Sequence, residues 1–199
     1  MKQLLLSILL LFPALVRAQQ IPGDGTSQVR INDTDRMIRA GILAISATPK
    51  TIPDRLYYWY GSGGIHQTQG GYSGHLLHGV YEEYFLNKNL RTQGTFAGGL
   101  KDGIWKEWNE TGKMSRLVTW VRGEQNGPFQ WYTTDGKVST SGYYKHDLWD
   151  GTITFHMGTD SVKTLRYKSG KVLPPGKGNI LKRLHLFQKK KESAVKPAV

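Results

Sequence analysis

Four glycines recur at a fixed interval of 24 residues, and this interval restricts the fold more than any other feature of the chain. They are Gly79, Gly103, Gly127 and Gly151, and each follows a short polar residue or a histidine. A period of this length indicates that the chain is built from copies of one supersecondary unit, each of which buries its apolar side chains against its neighbours. We therefore expect the units to lie beside one another in sequence order.

Aromatic and apolar residues recur at fixed distances from these glycines. With the glycine counted as position zero, the second, fifth and seventeenth positions are mostly aromatic and the eleventh is apolar. In the order second, fifth, eleventh and seventeenth, they are Tyr81, Tyr84, Leu90 and Phe96, then Trp105, Trp108, Met114 and Trp120, then Phe129, Tyr132, Val138 and Tyr144, and last Ile153, His156, Val162 and Lys168. A degenerate unit begins near Arg55, where arginine replaces glycine, and the last unit is degenerate too, as terminal repeats commonly are.

Each unit has the sequence pattern of a β-hairpin. Strand-forming residues on either side of Thr111-Gly112 or Asp135-Gly136 indicate two strands joined by a tight turn. Polar–glycine pairs such as Asp102-Gly103 are expected to connect one unit to the next, because both residue types tolerate positive φ. No apolar period of 3.6 residues is sustained within 55–171. The chain is predicted to be all-β, with an elongated, twisted antiparallel sheet of about four to five successive hairpins and matching rings in columns.

The best copies of this pattern resemble a known repeat. Residues 102–113 and 126–137, with a polar–glycine pair, two aromatic residues and a glycine–lysine pair, are similar to the MORN-repeat variant of bacterial proteins. The resemblance covers about 55–171. It implies an elongated sheet used for contacts, with no catalytic residue defined for the family. Some bacterial relatives are labelled antitoxin-like, and MORN proteins more widely are linked to membrane lipids and partner scaffolding.

The first part of the chain has the features of an export signal. Residues 1–18 contain Lys2 and then a short apolar run, and cleavage is predicted after Ala18. The chain has no cysteine. Export without cysteine is typical of a bacterial periplasmic or extracellular protein. Residues 19–54 are interpreted as an N-terminal extension that covers the first edge of the sheet, which would otherwise invite aggregation.

The positive charge is concentrated at the other end. The net charge is +12, but residues 19–160 contain equal numbers of basic and acidic residues. A neutral repeat region is unlike a nucleic-acid-binding surface, so no nucleic-acid partner is expected. Residues 172–199 are interpreted as a linker and a basic tail that either caps the last repeat and is then solvated or contacts an anionic surface. The candidate contacts with such a surface are Lys182, Arg183, Lys189, Lys190 and Lys191.

No catalytic, metal-binding or cofactor-binding residue is predicted. His75 and His78 have no third ligand nearby in the sequence, and His78 occupies the repeat position of Asp102, which favours a turn-forming role. No phosphate-binding loop or nucleophile elbow precedes a helix pattern. The chain is therefore not expected to be an enzyme.

The leading hypothesis is an exported interaction or scaffold protein that contacts an unknown protein or cell-envelope component. The candidate contact surface comprises Trp105, Trp108, Trp120, Trp131, Tyr132 and Tyr144. The first alternative is a carbohydrate-binding module or weak glycoside hydrolase, in which the tryptophans would bind sugar rings beside Glu83 or Glu107. The second alternative is an antitoxin-like protein, against which the export signal weighs.

Overall fold

The computed structural model describes residues 25–44, 49–158 and 161–174, and these residues form fourteen strands. The strands are β1 (Thr26–Asn32), β2 (Arg36–Leu43), β3 (Leu56–Gly61), β4 (Gly64–Gln69), β5 (His75–Phe85), β6 (Leu90–Ala97), β7 (Leu100–Trp108), β8 (Met114–Val121), β9 (Glu124–Tyr132), β10 (Val138–Lys145), β11 (Leu148–Trp149), β12 (Gly151–Met157), β13 (Ser161–Lys168) and β14 (Lys171–Val172). None of these residues is helical, and within the three ranges no helix is present that could span a membrane.

The strands form an open antiparallel sheet in the order β1-β2-β5-β6-β7-β8-β9-β10-β12-β13-β14. From β5 onward each strand lies beside the next one in sequence. The exception is the short β11, because both β11 and β12 pair with β10. The predicted all-β sheet of successive hairpins is thus confirmed.

Two kinds of turn alternate along this sheet. Within a unit, Gly112 donates a backbone hydrogen bond to the Asn109 carbonyl, and Gly136 does the same to Thr133. These are the predicted Thr111-Gly112 and Asp135-Gly136 turns. Between units, a two-residue turn with positive φ at both central residues joins the strands, at residues 98–99, 122–123, 146–147 and 169–170. Paired positive φ values match the right-handed twist of the flanking strands.

The connection between units therefore differs from the prediction. Three of the polar–glycine pairs lie inside strands, the fourth lies at the start of β12, and none lies at a reversal. Gly103, for example, lies within β7 with a φ of 76°. Three residues that include such a glycine face a single residue of the preceding strand: 78–80 face Gly41, 103–105 face Gly94, and 126–128 face Thr119. The periodic glycine thus supplies positive φ to a bulge, which bends the strand and increases the twist of the sheet.

The N-terminal region contributes the neighbour of the first matched unit. β2 pairs with β5 from Arg36–Phe85 to Ile42–Leu77, and β1 pairs with β2. The hairpin of β3 and β4 does not follow the path of the sheet. Only Trp59 and Tyr60 pair with the start of β5, and the hairpin then folds across the sheet. The degenerate unit near Arg55 is thus a hairpin, but it lies outside the succession in which the sequence pattern placed it.

The core is a column of side chains on one face of the sheet, which we call the column face. Second- and seventeenth-position residues of three units lie there, because residues paired across neighbouring strands share a face. Tyr81 lies 5.5 Å from Phe96 and 5.6 Å from Trp105 between ring centroids, and Phe129 lies 4.6 Å from Tyr144. The predicted correspondence of rings from unit to unit is observed.

Glycine at the fifteenth position makes room for these rings. A Cβ atom on Gly94 would lie 2.3 Å from two atoms of the Trp105 indole, and one on Gly142 would lie 2.3 Å from Cδ1 of Ile153. The equivalent residue of the middle unit is Val118, which is itself buried beside Phe129. The rings of the column therefore lie directly on the backbone of the sheet.

Candidate functional site

The six aromatic residues predicted as one contact surface are divided between the two faces. Trp105 and Tyr144 are buried in the column, with 4% and 9% of their surface exposed. Trp120 and Trp131 pack against the column and are half-buried. Four of the six residues therefore belong mainly to the core, because the second, fourth and seventeenth positions share the column face.

Trp108 and Tyr132 lie on the opposite face, which we call the open face. Each occupies the fifth position of its unit and pairs across the strands with the eleventh, Trp108 with Met114 and Tyr132 with Val138. The preceding unit repeats the arrangement with Tyr84. The open-face row comprises Tyr84, Leu90, Trp108, Met114, Tyr132 and Val138. All six side chains are half-exposed, so the row is a partly solvated apolar strip that runs across six strands.

Polar side chains flank the open-face row and orient its tyrosines. The Tyr84 hydroxyl donates a 2.7 Å hydrogen bond to Glu82, and the Tyr132 hydroxyl donates one of 2.6 Å to Gln130. Both acceptors lie two residues earlier on the same strand. The bond to Glu82 and partial burial raise the pKa of Tyr84, so this phenol stays protonated above its ordinary range. The row therefore presents fixed rings with anchored hydroxyl groups.

A cavity of about 290 Å³ lies on the column face, between the sheet and the hairpin of β3 and β4. Tyr58, Ile65 and His66 of the hairpin form one wall. Phe96 and Trp105 belong to the opposite wall, beside charged side chains of the sheet. Sequence reasoning missed this cavity, since local patterns do not show that β3 and β4 fold over the repeats.

The hairpin is held in place at its base. Tyr58 donates a backbone hydrogen bond of 2.8 Å to the Gly99 carbonyl, and its ring lies 5.0 Å from Phe96. Arg55 forms a 2.7 Å ion pair with Glu124 and donates to the carbonyl of Arg122. The arginine that replaces the repeat glycine thus joins the hairpin to the turn between β8 and β9.

Lys101 is the unusual residue of the cavity. Its ammonium lies 4.2 Å from the centroid of the Trp105 ring, 4.9 Å from that of Trp120 and 5.6 Å from that of Tyr58. Burial lowers the pKa of Lys101, because the surrounding residues remove water from the charged form. Within the part of the chain that the structure describes, the ammonium makes ring contacts but no hydrogen bond and no ion pair.

Glu83, by contrast, has several partners. Its carboxylate accepts a 2.9 Å hydrogen bond from the Tyr81 hydroxyl and forms ion pairs with Arg36 at 3.5 Å and Arg91 at 3.3 Å. Burial and the Glu83 carboxylate raise the pKa of Tyr81. A buried carboxylate held by two arginines is a structural network, since leaving it unpaired would be costly.

The residues named for carbohydrate chemistry are only partly brought together. Glu83 and Glu107 both occupy the fourth position of their units, and they line the same cavity. Trp105 lies beside them but is buried, and Trp108 points to the open face. The four tryptophans do not form one strip of sugar platforms next to the two carboxylates.

In three of the four units, the residue before the repeat glycine closes the next turn between units. Asp102 accepts a 3.0 Å hydrogen bond from the backbone amide of Arg122, and His78 accepts one of 3.1 Å from Gly98. Asp150 does the same for Ser169. This bond lowers the pKa of Asp150. His78 is thus a turn-stabilising residue, and the described ranges contain no cluster of three or more possible metal ligands.

Two predicted regions lie outside the described residues. They are the export signal at 1–18 and the basic residues Lys182, Arg183, Lys189, Lys190 and Lys191.

Comparison with known proteins identifies the repeat. The family model of the MORN repeat variant matches residues 77–97, 101–121 and 125–146. No curated protein and no solved structure matches the chain. The three matched segments are consecutive and lie on the units with the best ring columns, and repeats of this family indicate a repeat-based interaction or scaffold protein.

Proposed function

We propose that this chain, with its three consecutive MORN repeat variants, is an exported, non-enzymatic interaction protein that binds a protein partner through the open-face row. The observation that carries the proposal is the recurrence of a half-exposed apolar pair in each matched unit: Tyr84 with Leu90, Trp108 with Met114, and Tyr132 with Val138. The side chains of these pairs do not fill the ring column, because the column lies on the other face of the sheet.

The spacing and charge of the row define the kind of partner. Equivalent pairs recur every two strands, which is about 10 Å at the usual strand separation. An elongated protein segment that presents apolar side chains at this spacing would meet several units at once, as repeat proteins commonly bind. Residues 19–160 have no net charge, which favours apolar and hydrogen-bonding contacts over a strongly charged ligand. Aromatic residues are well suited to this role because they dominate the energetics of protein interfaces.

Export is supported by residues 1–18 and by the absence of cysteine. Under this proposal the partner is a bacterial envelope protein, and the mature chain begins at Gln19. The N-terminal mass of the purified protein tests the cleavage site directly. An antitoxin role would instead require a toxin partner in the cytoplasm.

The experiment is crosslinking and affinity capture from the native envelope fraction with matched variants. The test variant is Trp108→Thr/Tyr132→Thr, which keeps strand-forming residues but removes two rings of the row. The control is Val121→Thr, which removes an exposed apolar side chain beside a turn between units. We expect the wild type and the control to capture the same protein and the double variant to lose it. Equal capture by the correctly folded double variant would disprove the proposal.

A further inference from the structure

We propose that the cavity between the sheet and the hairpin of β3 and β4 binds a small organic monocarboxylate, whose carboxylate accepts hydrogen bonds from Lys101. The apolar part of the ligand would lie against Tyr58, Phe96 and Trp105, which line the same cavity. This site is on the column face, so it goes beyond the protein-binding role proposed for the open face.

The repeat shows that a lysine is not required at this place in the fold. Lys101 lies two residues before its repeat glycine, where the other units have Leu77, Gln125 and Trp149. Each of the residues at 101, 125 and 149 pairs with the seventeenth-position ring of the preceding unit. Leu77 is fully buried and Trp149 packs against the column. An apolar residue can therefore fill this position, and lysine adds a charge that burial disfavours.

The surroundings of Lys101 leave its donors free. An ammonium has three N–H donors, and ring faces attract the charge without accepting three directed bonds. In the described ranges the ammonium makes no hydrogen bond or ion pair, although it lines a cavity large enough for a ligand. Lys101 is half-buried and borders the cavity, so an acceptor that enters the cavity can form a charge-assisted hydrogen bond with the ammonium.

The other charges of the cavity favour an anion with a single charge. Arg36 is already within ion-pair distance of Glu83 and two aspartates, and Glu83 is also paired with Arg91. Glu107 forms an ion pair with Arg116 at 3.9 Å and with no other residue of the described ranges. Lys101 is thus the one cation of the cavity lining without an ion pair among the described residues, although Glu107 and Glu83 act on its charge from a longer distance. A monocarboxylate would match this charge, whereas a dianion such as phosphate would meet about twice the repulsion from Glu83 and Glu107.

The size of the cavity restricts the body of the ligand. A volume of about 290 Å³ is near the lower limit of ligand cavities, roughly 300 Å³. Aromatic walls favour a compact apolar or flat group. Phenylacetate has both features and is a suitable probe.

The experiment measures phenylacetate binding to the intact mature chain by calorimetry and by ligand-induced thermal shift. The test variant is Lys101→Met, which keeps the unbranched stem but removes the ammonium. The control is Lys106→Met, because Lys106 is on the same strand but faces the other side. We expect saturable binding to the wild type and the control, and a loss of affinity of about tenfold or more in Lys101→Met. Neither 2-phenylethanol, which lacks the charge, nor inorganic phosphate should compete.

A second variant tests the position of the site without touching Lys101. Gln67→Trp places a large side chain on the exposed hairpin wall of the cavity and should block phenylacetate while leaving the melting temperature near that of the wild type. The proposal is overturned if the wild type shows no saturable binding of phenylacetate, or if both variants bind it as tightly as the wild type does. Because the open-face row is intact in these variants, capture of the envelope partner should be unchanged in either case.

Discussion

Substitution of Gly94 by alanine tests the packing of the ring column most severely. The φ of Gly94 is not in the left-handed region, so the backbone accepts alanine without strain, and the expected effect is purely steric. The new Cβ would lie 2.3 Å from Cδ2 and Cε2 of Trp105 and 2.8 Å from Cε3. These atoms belong to a rigid indole that is 4% exposed and lies 4.9 Å from Phe96 and 5.6 Å from Tyr81. Other rings close in the indole on the column side, and it borders free volume only at the cavity.

Overpacking of this kind costs about 1–3 kcal/mol, and the rigid obstacle places Gly94→Ala near the upper value, about 3 kcal/mol. Trp105→Leu should cost a similar amount through lost burial and ring contacts. In the double variant the smaller leucine leaves room for the methyl group. The combined cost should therefore fall about 2–3 kcal/mol short of the sum of the single costs, which is a large coupling.

Urea unfolding of the four proteins in this cycle measures the coupling. Gly94→Ala alone should lower the melting temperature by roughly 6–12 °C. The control is Gly71→Ala, because Gly71 has ordinary φ and a Cβ added there would have no atom within 4 Å, so its effect should stay within about 0.5 kcal/mol. Additive costs, or a Gly94→Ala protein as stable as the wild type, would refute the account of the column.

Three further predictions concern turns and titration. Lys88→Gly should stabilise the protein by about 1 kcal/mol in urea unfolding, because Lys88 has a φ of 68° at the turn position where the next two units have glycine. Asp102→Ala should cost about 1 kcal/mol in the same assay through the lost hydrogen bond from the Arg122 amide, and an unchanged stability would contradict that role. Because the folded-state pKa of Tyr81 is raised above the ordinary 10.0, the protonated phenol favours the folded state, and stability should fall as the pH rises above about 10. Tyr81→Phe should flatten this decline between pH 9 and 11, and an equally steep decline in the variant would assign it to other groups.

The ring columns could be predicted because they follow from the period alone. Residues 24 positions apart occupy equivalent places in successive hairpins, so Tyr81 and Trp105 had to share a face once each unit formed two strands. The placement of the turns could not be predicted in the same way. Glycine occurs both in the bulges and in the turns, because each needs positive φ. Gly99 in a turn and Gly103 in a bulge lie only four residues apart, so the sequence alone does not show which of them marks the reversal.

The candidate site depended on information that a single repeat does not contain. Alternation along the strand separates Trp108 from Trp105, but the larger set of six aromatic residues included both faces. Lys101 resembles a solvated surface lysine in the sequence. Comparison with Leu77 and Trp149 in the same repeat position is the signal that identifies it as an inward-facing residue. The fold of β3 and β4 over the sheet is a non-local arrangement, which strand patterns leave open.

Radical footprinting of the open-face row in the native envelope is the most direct test of the proposed contact surface. Oxidation of Trp108 and Met114 would be compared between the purified protein and the protein bound in the envelope fraction, with exposed Met157 on the far strand β12 as the internal reference. The proposal predicts that Trp108 and Met114 become protected while Met157 stays reactive. Equal oxidation of the row in both states would show that the partner binds elsewhere.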